Sequence, residues 1–400
     1  MSFFRTPSPL EFSYIGMDTP ATGSVMVNQF LSQGVGSIDR AKLEDALRQA
    51  ADANPGIRMR LRGFWGWRYW DDVGANPVVE EINAPEWDGM SSDHCPRIGE
   101  YIDLRKDPLV QASIIYTRND VYLLFRTHHA ITDGRGTVHF LADAFRIMRG
   151  EKPLGSTSKL TEWDIAMREE RPPRPVVEGN CLPITNFPVN PAERGCRWQR
   201  FVWDGDKNKL TAKIMFALAQ MAWETHGDGK ILIRIPADLR RYLKDEEGFT
   251  VANCSGALDF EMKPDQTLNQ IRSQLVKAMR NKEDLSPFME NHKYARWMPP
   301  ATFRVNPEIL RKTHESGRYR MTAIVTNLGD VDLAPFTLDS YKPSELFGVP
   351  IAFENRPIYV GAASQGNNTG IMVGIPKALA TQEQLQQFCD ALAQKLHELK

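Results

Sequence analysis

Residues 121–141 read VYLLFRTHHAITDGRGTVHFL and place two imidazoles side by side, His128 and His129, with Asp133 and Gly134 three residues further on. Imidazole is the one side chain whose ordinary titration falls near neutrality, so the pair is suited to metal binding or to proton transfer. A zinc site would take both rings and an oxygen from Asp133. Adjacent residues of a strand point to opposite faces, however, so His128 and His129 do not converge on one ion. There is no HExxH, and His139 is the only other histidine nearby. A phosphate loop fares no better. GRGTVH begins like GxGxxG but ends in His139, and GxxxxGK[ST] does not occur. Ser364, in GAASQG, lacks the spacing of a nucleophile elbow. Two readings stay open. In one, Asp133 makes an Asx turn ahead of Gly134 and the histidines are satisfied at a strand end. In the other, one histidine faces a cleft, neutral and in a fixed tautomer, and takes a proton from a hydroxyl or amine that attacks a carbonyl. A buried Asp133 paired with an arginine would then lock the turn that aims the ring.

The elements around the pair follow from periodicity. Asp107-Pro108 precedes LVQASIIYT, a strand, and Asn119-Asp120 turns the chain into VYLLFRT, a second strand of a hairpin. Beyond Gly134 the period lengthens. Val138, Leu141, Phe145 and Met148 share one helix face, which is core and no cofactor box, and Gly150 ends the helix. The histidines therefore sit where a buried strand gives way to a turn and a helix, a position that can be rigid and still meet a substrate. Upstream, Leu43, Ala46, Leu47 and Ala50 mark a helix that Asn54-Pro55-Gly56 stops, followed by the alternating strand IRMRLRG. Downstream, CRWQRFVWDGD, KILIRIPADLRR, NCSGALDFEM, RYRMTAIVTNLGDVDL, IYVGAAS and GIMVGI read as strands, the last two joined by the turn QGNNT. Leu210, Ile214, Ala217, Leu218 and Met221 form one helical stripe. Leu385, Phe388, Leu392 and Leu396 form another, opened by a capping box of Thr381 and Gln384. Strands and helices mix throughout, so the class is α/β or α+β.

Four hundred residues suit two domains better than one core. RPPRP, with three prolines in four positions, is the boundary: residues 1–175 form a first half, 176–195 a linker and 196–400 a second half. The 49 basic and 50 acidic residues leave a net charge of -1, which argues against a general nucleic-acid binder. No run approaches the length of a membrane span, and the opening MSFFRTPSPLEFSYIG lacks the pattern of a signal peptide, so a cytoplasmic protein is expected. Five cysteines at long spacings, with no CxxC, suggest neither disulfides nor a zinc knuckle.

His128-His129-Ala130-Ile131-Thr132-Asp133-Gly134 matches HHxxxDG. It resembles the signature of the superfamily of nonribosomal-peptide condensation domains, chloramphenicol acetyltransferase, polyketide-associated acyltransferases and plant BAHD acyltransferases. LEDALRQAADANPGIRMRLR, DPLVQASII, IRIPADLRRY, VANCSG and VTNLGDVDL are similar to further family segments, in the family's order, with residues 65–100 and 270–320 least matched. ELFGVP at 345–350 stands where the plant branch has DFGWG but lacks its acid and tryptophan. The resemblance implies two-layer sandwiches arranged as a chloramphenicol-acetyltransferase-like pseudo-dimer, with a tunnel between the halves that donor and acceptor enter from opposite faces. It implies acyl transfer from a thioester to an amine or alcohol, with His129 as base and His128 shaping the site. Asp133 would pair with Arg240, or else Arg241 or Arg234. Gly134 would leave room for the donor, and the oxyanion would meet Ser364, Asn327 or Ser255. It implies no bound cofactor or metal, and a donor that is acyl-CoA or the phosphopantetheinyl thioester of a carrier protein acting in trans. For a carrier, the arginines of RPPRP, or Arg311 and Lys312, are the candidate docking patch. The context implied is specialised-metabolite biosynthesis. A binding scaffold of the same fold, or an epimerase, cyclase or hydrolase using the same histidine, are the alternatives.

Overall fold

The computed structural model describes residues 3–19, 25–173, 179–304 and 306–399. In the first part of the chain run β1 (Phe4–Arg5), α1 (Pro9–Met17), β2 (Val27–Gly36), α2 (Arg40–Ala53), β3 (Met59–Arg62), β4 (Tyr69–Asp72), β5 (Val78–Asn83), β6 (Val110–Tyr116), β7 (Val121–His128), α3 (Gly134–Met148) and α4 (Glu162–Ala166). In the second run β8 (Cys196–Trp203), α5 (Leu210–His226), β9 (Ile231–Asp238), β10 (Ser255–Met262), α6 (Leu268–Arg280), α7 (Pro307–Ser316), β11 (Ala323–Asp330), β12 (Tyr341–Gly348), β13 (Ile358–Gln365), β14 (Asn368–Pro376) and α8 (Gln382–Glu398). They form a five-stranded sheet ordered β12-β2-β7-β6-β5, a six-stranded sheet ordered β10-β9-β11-β13-β14-β8, and a small sheet β1-β4-β3.

Every residue of β7 is buried, because it runs mid-sheet with both faces covered. Helices α2 and α3 pack on one face, burying Leu43, Ala46, Leu47 and Ala50 against Phe140, Leu141, Ala144 and Phe145. The buried face of α3 is therefore rotated from the expected stripe. Phe140 and Ala144 carry it, while Val138 and Met148 are only partly covered. The second sheet is covered by α5 and α8, whose Ile214, Leu218, Leu385, Phe388, Leu392 and Leu396 share one core.

The halves interlock. Strand β12, from the second part of the chain, pairs antiparallel with β2 and completes the first sheet. Its Glu345 forms an ion pair with the buried Arg200 of β8, so it ties the two large sheets together. In the other direction α4 buries Ile165 and Ala166 among Leu239, Ala252, Cys254 and Leu285 of the second part. Each large apolar side chain so covered is worth about 1.5–3 kcal/mol. Residues 176–178 of the expected linker lie outside the described residues, as do Arg174 and Pro175 of RPPRP. Residues 179–195 are fastened along the second sheet, with Cys181 and Tyr319 exchanging backbone bonds and Leu182 and Ile184 in the core. Among the described residues no helix is long and apolar enough to cross a membrane.

Candidate active site

At the end of β7 the two histidines part. His128 is fully buried. Its Nε2 lies 3.0 Å from Asp18 Oδ2, and its Nδ1 accepts the Ala130 N–H at 3.1 Å. With Nδ1 accepting, the proton sits on Nε2 and is donated to Asp18, so this ring is committed to holding α1 and the turn together. His129 anchors its backbone to Met26 (N–H to carbonyl, 2.7 Å) and presents its ring to a cavity. The ring stacks on Tyr14 of α1, centroids 4.5 Å apart. Asn253 secures it from the second part of the chain. Its Nδ2 donates to the His129 carbonyl at 2.8 Å and lies 3.1 Å from Nδ1, while its Oδ1 accepts from Ser255 N. Burial holds the His129 imidazole below its ordinary pKa. The Asp133 carboxylate and the carbonyls of His129 and Thr132 oppose that shift without reversing it. The ring is therefore neutral at physiological pH.

Asp133 caps α3, its Oδ1 accepting from Gly136 N at 2.9 Å. No side chain fits at Gly136, where a Cβ would stand 2.3 Å from Thr132 Oγ1 and 2.4 Å from the Val251 carbonyl. The same carboxylate takes a two-pronged pair from Arg240, at 2.9 and 3.0 Å, and the Cys254 N–H at 2.8 Å. Arg240 follows β9, and its other bonds go to Asp238 (2.9 Å) and to the carbonyls of Thr250 (2.8 Å) and Ala252 (2.6 Å). All of its donor positions are used, the condition for burying a guanidinium. Although burial alone would raise it, the Asp133 carboxyl is held below its ordinary value by the Arg240 charge and hydrogen bonds and by the Gly136 and Cys254 amides. The other arginines considered from the sequence lie elsewhere, Arg234 on Asp259 and Arg241 on Asp284.

The cavity beside His129 has a volume of about 670 Å³ and is lined largely by apolar side chains, among them Phe30, Phe288, Phe303 and Met372. A second cavity of about 610 Å³ lies beyond Gly134. Asp133, Gly134, Pro236, Ser255, Thr326 and Leu328 line both, so the two meet one turn from His129. Gly134 is tight here, since an added Cβ would lie 3.1 Å from the Phe30 ring. Of the polar residues expected at the site, Ser255 stands at the junction. Asn327 lines only the second cavity and donates to Thr211 Oγ1 at 3.2 Å. The structure does not bring Ser364 to either cavity: its hydroxyl is buried against Thr369 Oγ1 at 2.8 Å. Arg311, considered as a docking residue, pairs with Glu308 and Glu315 on its own helix. Tyr14, Asp18 and Asn253 were not singled out from the sequence. For Tyr14 a signal exists in S-P-L-E at residues 8–11, which forms a capping box with proline at the first turn and so announces α1.

No family model matches the chain, and no curated protein matches it. Solved structures do. The chain is similar to the starter condensation domain of rhizomide synthetase, in a complex with C8-CoA and Leu-SNAC, with a TM-score of 0.67, 13% identity and coverage of 99% of this chain and 94% of that one. It is similar to polyketide synthase associated protein 5 from Mycobacterium tuberculosis, with a TM-score of 0.63, 13% identity and coverage of 98% and 96%. It is also similar to the epimerization domain of the third module of tyrocidine synthetase B, with a TM-score of 0.58, 11% identity and coverage of 100% and 97%. Over its full length the chain thus has the fold of condensation domains, the chloramphenicol-acetyltransferase-like pseudo-dimer.

Proposed function

We propose that the protein transfers an acyl group from a thioester to an amine or hydroxyl, with His129 as general base. The observation that carries this is a neutral, clamped imidazole on the wall of an apolar cavity, beside the point where a second cavity enters. In this reading Nδ1 bears the ring proton, directed at the backbone carbonyls, and Nε2 takes the proton of the acceptor as it attacks the thioester carbon. The tetrahedral intermediate then expels the thiolate, which recovers that proton from Nε2. The products are an ester or amide and a free thiol, and no atom is left on the enzyme. Ser255, which lines both cavities, is in this reading the donor to the oxyanion; a preorganised donor of this kind is worth about 3–4 kcal/mol. His128 and the Asp133–Arg240 pair position the turn.

The donor arm enters through the second cavity, past Gly134. Arg135, Arg241 and Arg280 line that cavity and suit the phosphates of CoA or phosphopantetheine. The acyl-CoA and aminoacyl thioester held by the rhizomide condensation domain are ligands of the same chemistry. The expected setting is cytoplasmic specialised-metabolite biosynthesis. The similarity to an epimerization domain supports a second reading, in which His129 removes a proton from the α-carbon of a bound thioester.

The test is a matrix of acyl-CoA and acyl-carrier thioesters against mixed amines and alcohols, followed by thiol release and product mass. Acyl transfer gives stoichiometric thiol and a condensed product, both lost in His129→Ala. Thiol release that survives His129→Ala overturns the role of His129. Carrier binding without thiol release favours a scaffold, and an epimerised thioester of unchanged mass favours the second reading.

A further inference from the structure

The charge on the wall of the main cavity is one-sided. Among the described residues lining it are three arginines, Arg234, Arg320 and Arg356, and a single carboxylate, Asp133. Asp133 is committed to Arg240, which lies behind the wall. Arg234 is held in a two-pronged pair by Asp259, both bonds 2.6 Å. Arg356 differs from these. It stands just before β13, in a tight turn that its own N–H closes on the Phe353 carbonyl at 2.7 Å. Among the described residues its side chain has neither an ion pair nor a hydrogen bond, and its Nε is fully enclosed with no partner. Burial and the charges of Arg234 and Arg320 disfavour its protonated form, the Tyr14 hydroxyl and the Asp259 carboxylate favour it, and its pKa falls only to about 10, so the cation persists at neutral pH. The residue as a whole is half-buried on the cavity wall, with only its Nε edge enclosed. A cation held there without a direct carboxylate partner is costly, whereas a structural arginine finds one, as Arg240 does. Besides those charges, two phenols share its surroundings. Its charge is felt at the hydroxyl of Tyr14, whose ring stacks on His129, and Tyr359 lines the same wall.

We propose that Arg356 is the anchor of a substrate-binding subsite that takes a carboxylate, in the same cavity that Tyr14 and the His129 ring line. A carboxylate fits the planar fork of a guanidinium through two parallel bonds and supplies the charge the wall lacks. The anion arrives on a small molecule occupying the cavity, with its carboxylate at Arg356 and its reacting end near His129. It is carried by the acceptor or by the far end of the acyl chain. The inference takes the word substrate from the acyl-transfer reading; the binding itself stands apart from it.

The experiment therefore measures binding first, with no donor present. Hexanoate, benzoate, 3-hydroxybutyrate and 4-hydroxybenzoate are titrated calorimetrically, each beside its methyl ester. In the wild-type protein at least one acid binds about 10- to 100-fold more tightly than its ester, the range for a charge-assisted two-pronged contact. Arg356→Gln abolishes that preference while leaving ester binding in place, and Arg356→Lys restores part of it. Because the Arg356 side chain makes no ion pair or hydrogen bond among the described residues for the variant to lose, Arg356→Gln keeps a Tm close to the wild-type value. Esters that bind as well as their acids throughout, or a preference that survives in Arg356→Gln, overturn the proposal. A transfer assay then separates the sources. The carboxylate is placed on the hydroxy-acid acceptor with a neutral acyl-CoA, or on the end of a dicarboxylic acyl-CoA with a neutral alcohol, and the arm that depends on Arg356 identifies the carrier. Acid binding that depends on Arg356 without any thiol release sinks acyl transfer and leaves the subsite standing.

Discussion

Asp133 and Arg240 offer a perturbation whose size is set by the structure. Both side chains are buried, and they meet through two bonds of 2.9 and 3.0 Å. Asp133→Asn keeps an oxygen for the Gly136 N–H, so the cap on α3 survives and the loss falls on the pair. It leaves Arg240 with bonds to Asp238, Thr250 and Ala252 but with its buried counter-charge removed. Arg240→Met does the converse: the carboxylate keeps the Gly136 and Cys254 amides, and two carbonyls lose their donor. Breaking a buried pair from one side costs about 3–5 kcal/mol. That is a large part of the 5–15 kcal/mol typical of a folded domain, and it lowers Tm by roughly 10 °C. Independent sites would make the double variant lose about 6–10 kcal/mol. In a pair, the second substitution removes a charge that the first had already orphaned, so the double variant loses little more than either single. The assay is equilibrium urea unfolding of the four proteins, read as a double-mutant cycle. A coupling energy of about 2 kcal/mol or more is expected. Losses that add to within about 0.5 kcal/mol refute the pair as a structural unit and leave two separate polar residues.

His129→Ala lowers kcat by about 10²–10⁴ with Tm unchanged, the range for a lost general base. Because burial depresses the His129 pKa, the wild-type rate stays flat through neutrality and falls only as pH drops below the ordinary histidine range; a fall already complete at pH 7 contradicts the assignment. Asn253→Ala frees the His129 carbonyl and lowers kcat about tenfold with little change in KM; a gain in rate instead shows that its amide donates to Nδ1 and holds the wrong tautomer. Glu162 gives a stability test. Burial, and then the nearby Glu11, raise its carboxyl from 4.5 to about 8. A raised folded-state value means stability is full below pH 4.5 and is lost as pH climbs towards 8, by a few kcal/mol in order of magnitude. Glu162→Gln removes that slope, and identical urea midpoints for variant and wild type at every pH from 5 to 8.5 would exclude the effect.

Local pattern announced the elements whose physics is local. The hairpin of β6 and β7, helices α2 and α3, the turn between β13 and β14 and the capped α8 stand where periodicity and turn residues put them. Strand β2 was illegible for a definite reason. It lies between β12 and β7, yet it carries Asn28, Gln29, Ser32 and Gln33. Those polar groups are satisfied at long range, Asn28 by the Thr132 carbonyl at 2.8 Å, Gln29 by Gly99 N at 2.8 Å and Ser32 by Tyr341 at 2.9 Å. A stretch without a clear apolar alternation is thus an interior strand whose partners are far away in sequence. Strand β12 hid behind Pro343 and Glu345. The register shifts between those two residues, and the strand lies at a sheet edge, where proline is tolerated.

The same distinction runs through the site. His128, His129, Asp133 and Gly134 are contiguous and could be read directly, whereas Arg240 came only through the resemblance. For Tyr14 the sequence announces only its helix, and Asn253 and Arg356 carry no local signal, because each meets the cavity through a surface that another part of the chain supplies. His129 is held between Tyr14 of the first part and Asn253 of the second, and Asp133 between its own helix and Arg240. Neither half owns the site. The swapped elements acquire their purpose from this: β12 and α4 each cross to the other half, and the Arg200–Glu345 pair joins the two large sheets through β12. A loose interface would let the halves drift by an ångström, enough to cost a reaction a hundredfold in rate. The crossing strand and helix hold the junction at the spacing that sets His129 of one half against Asn253 of the other.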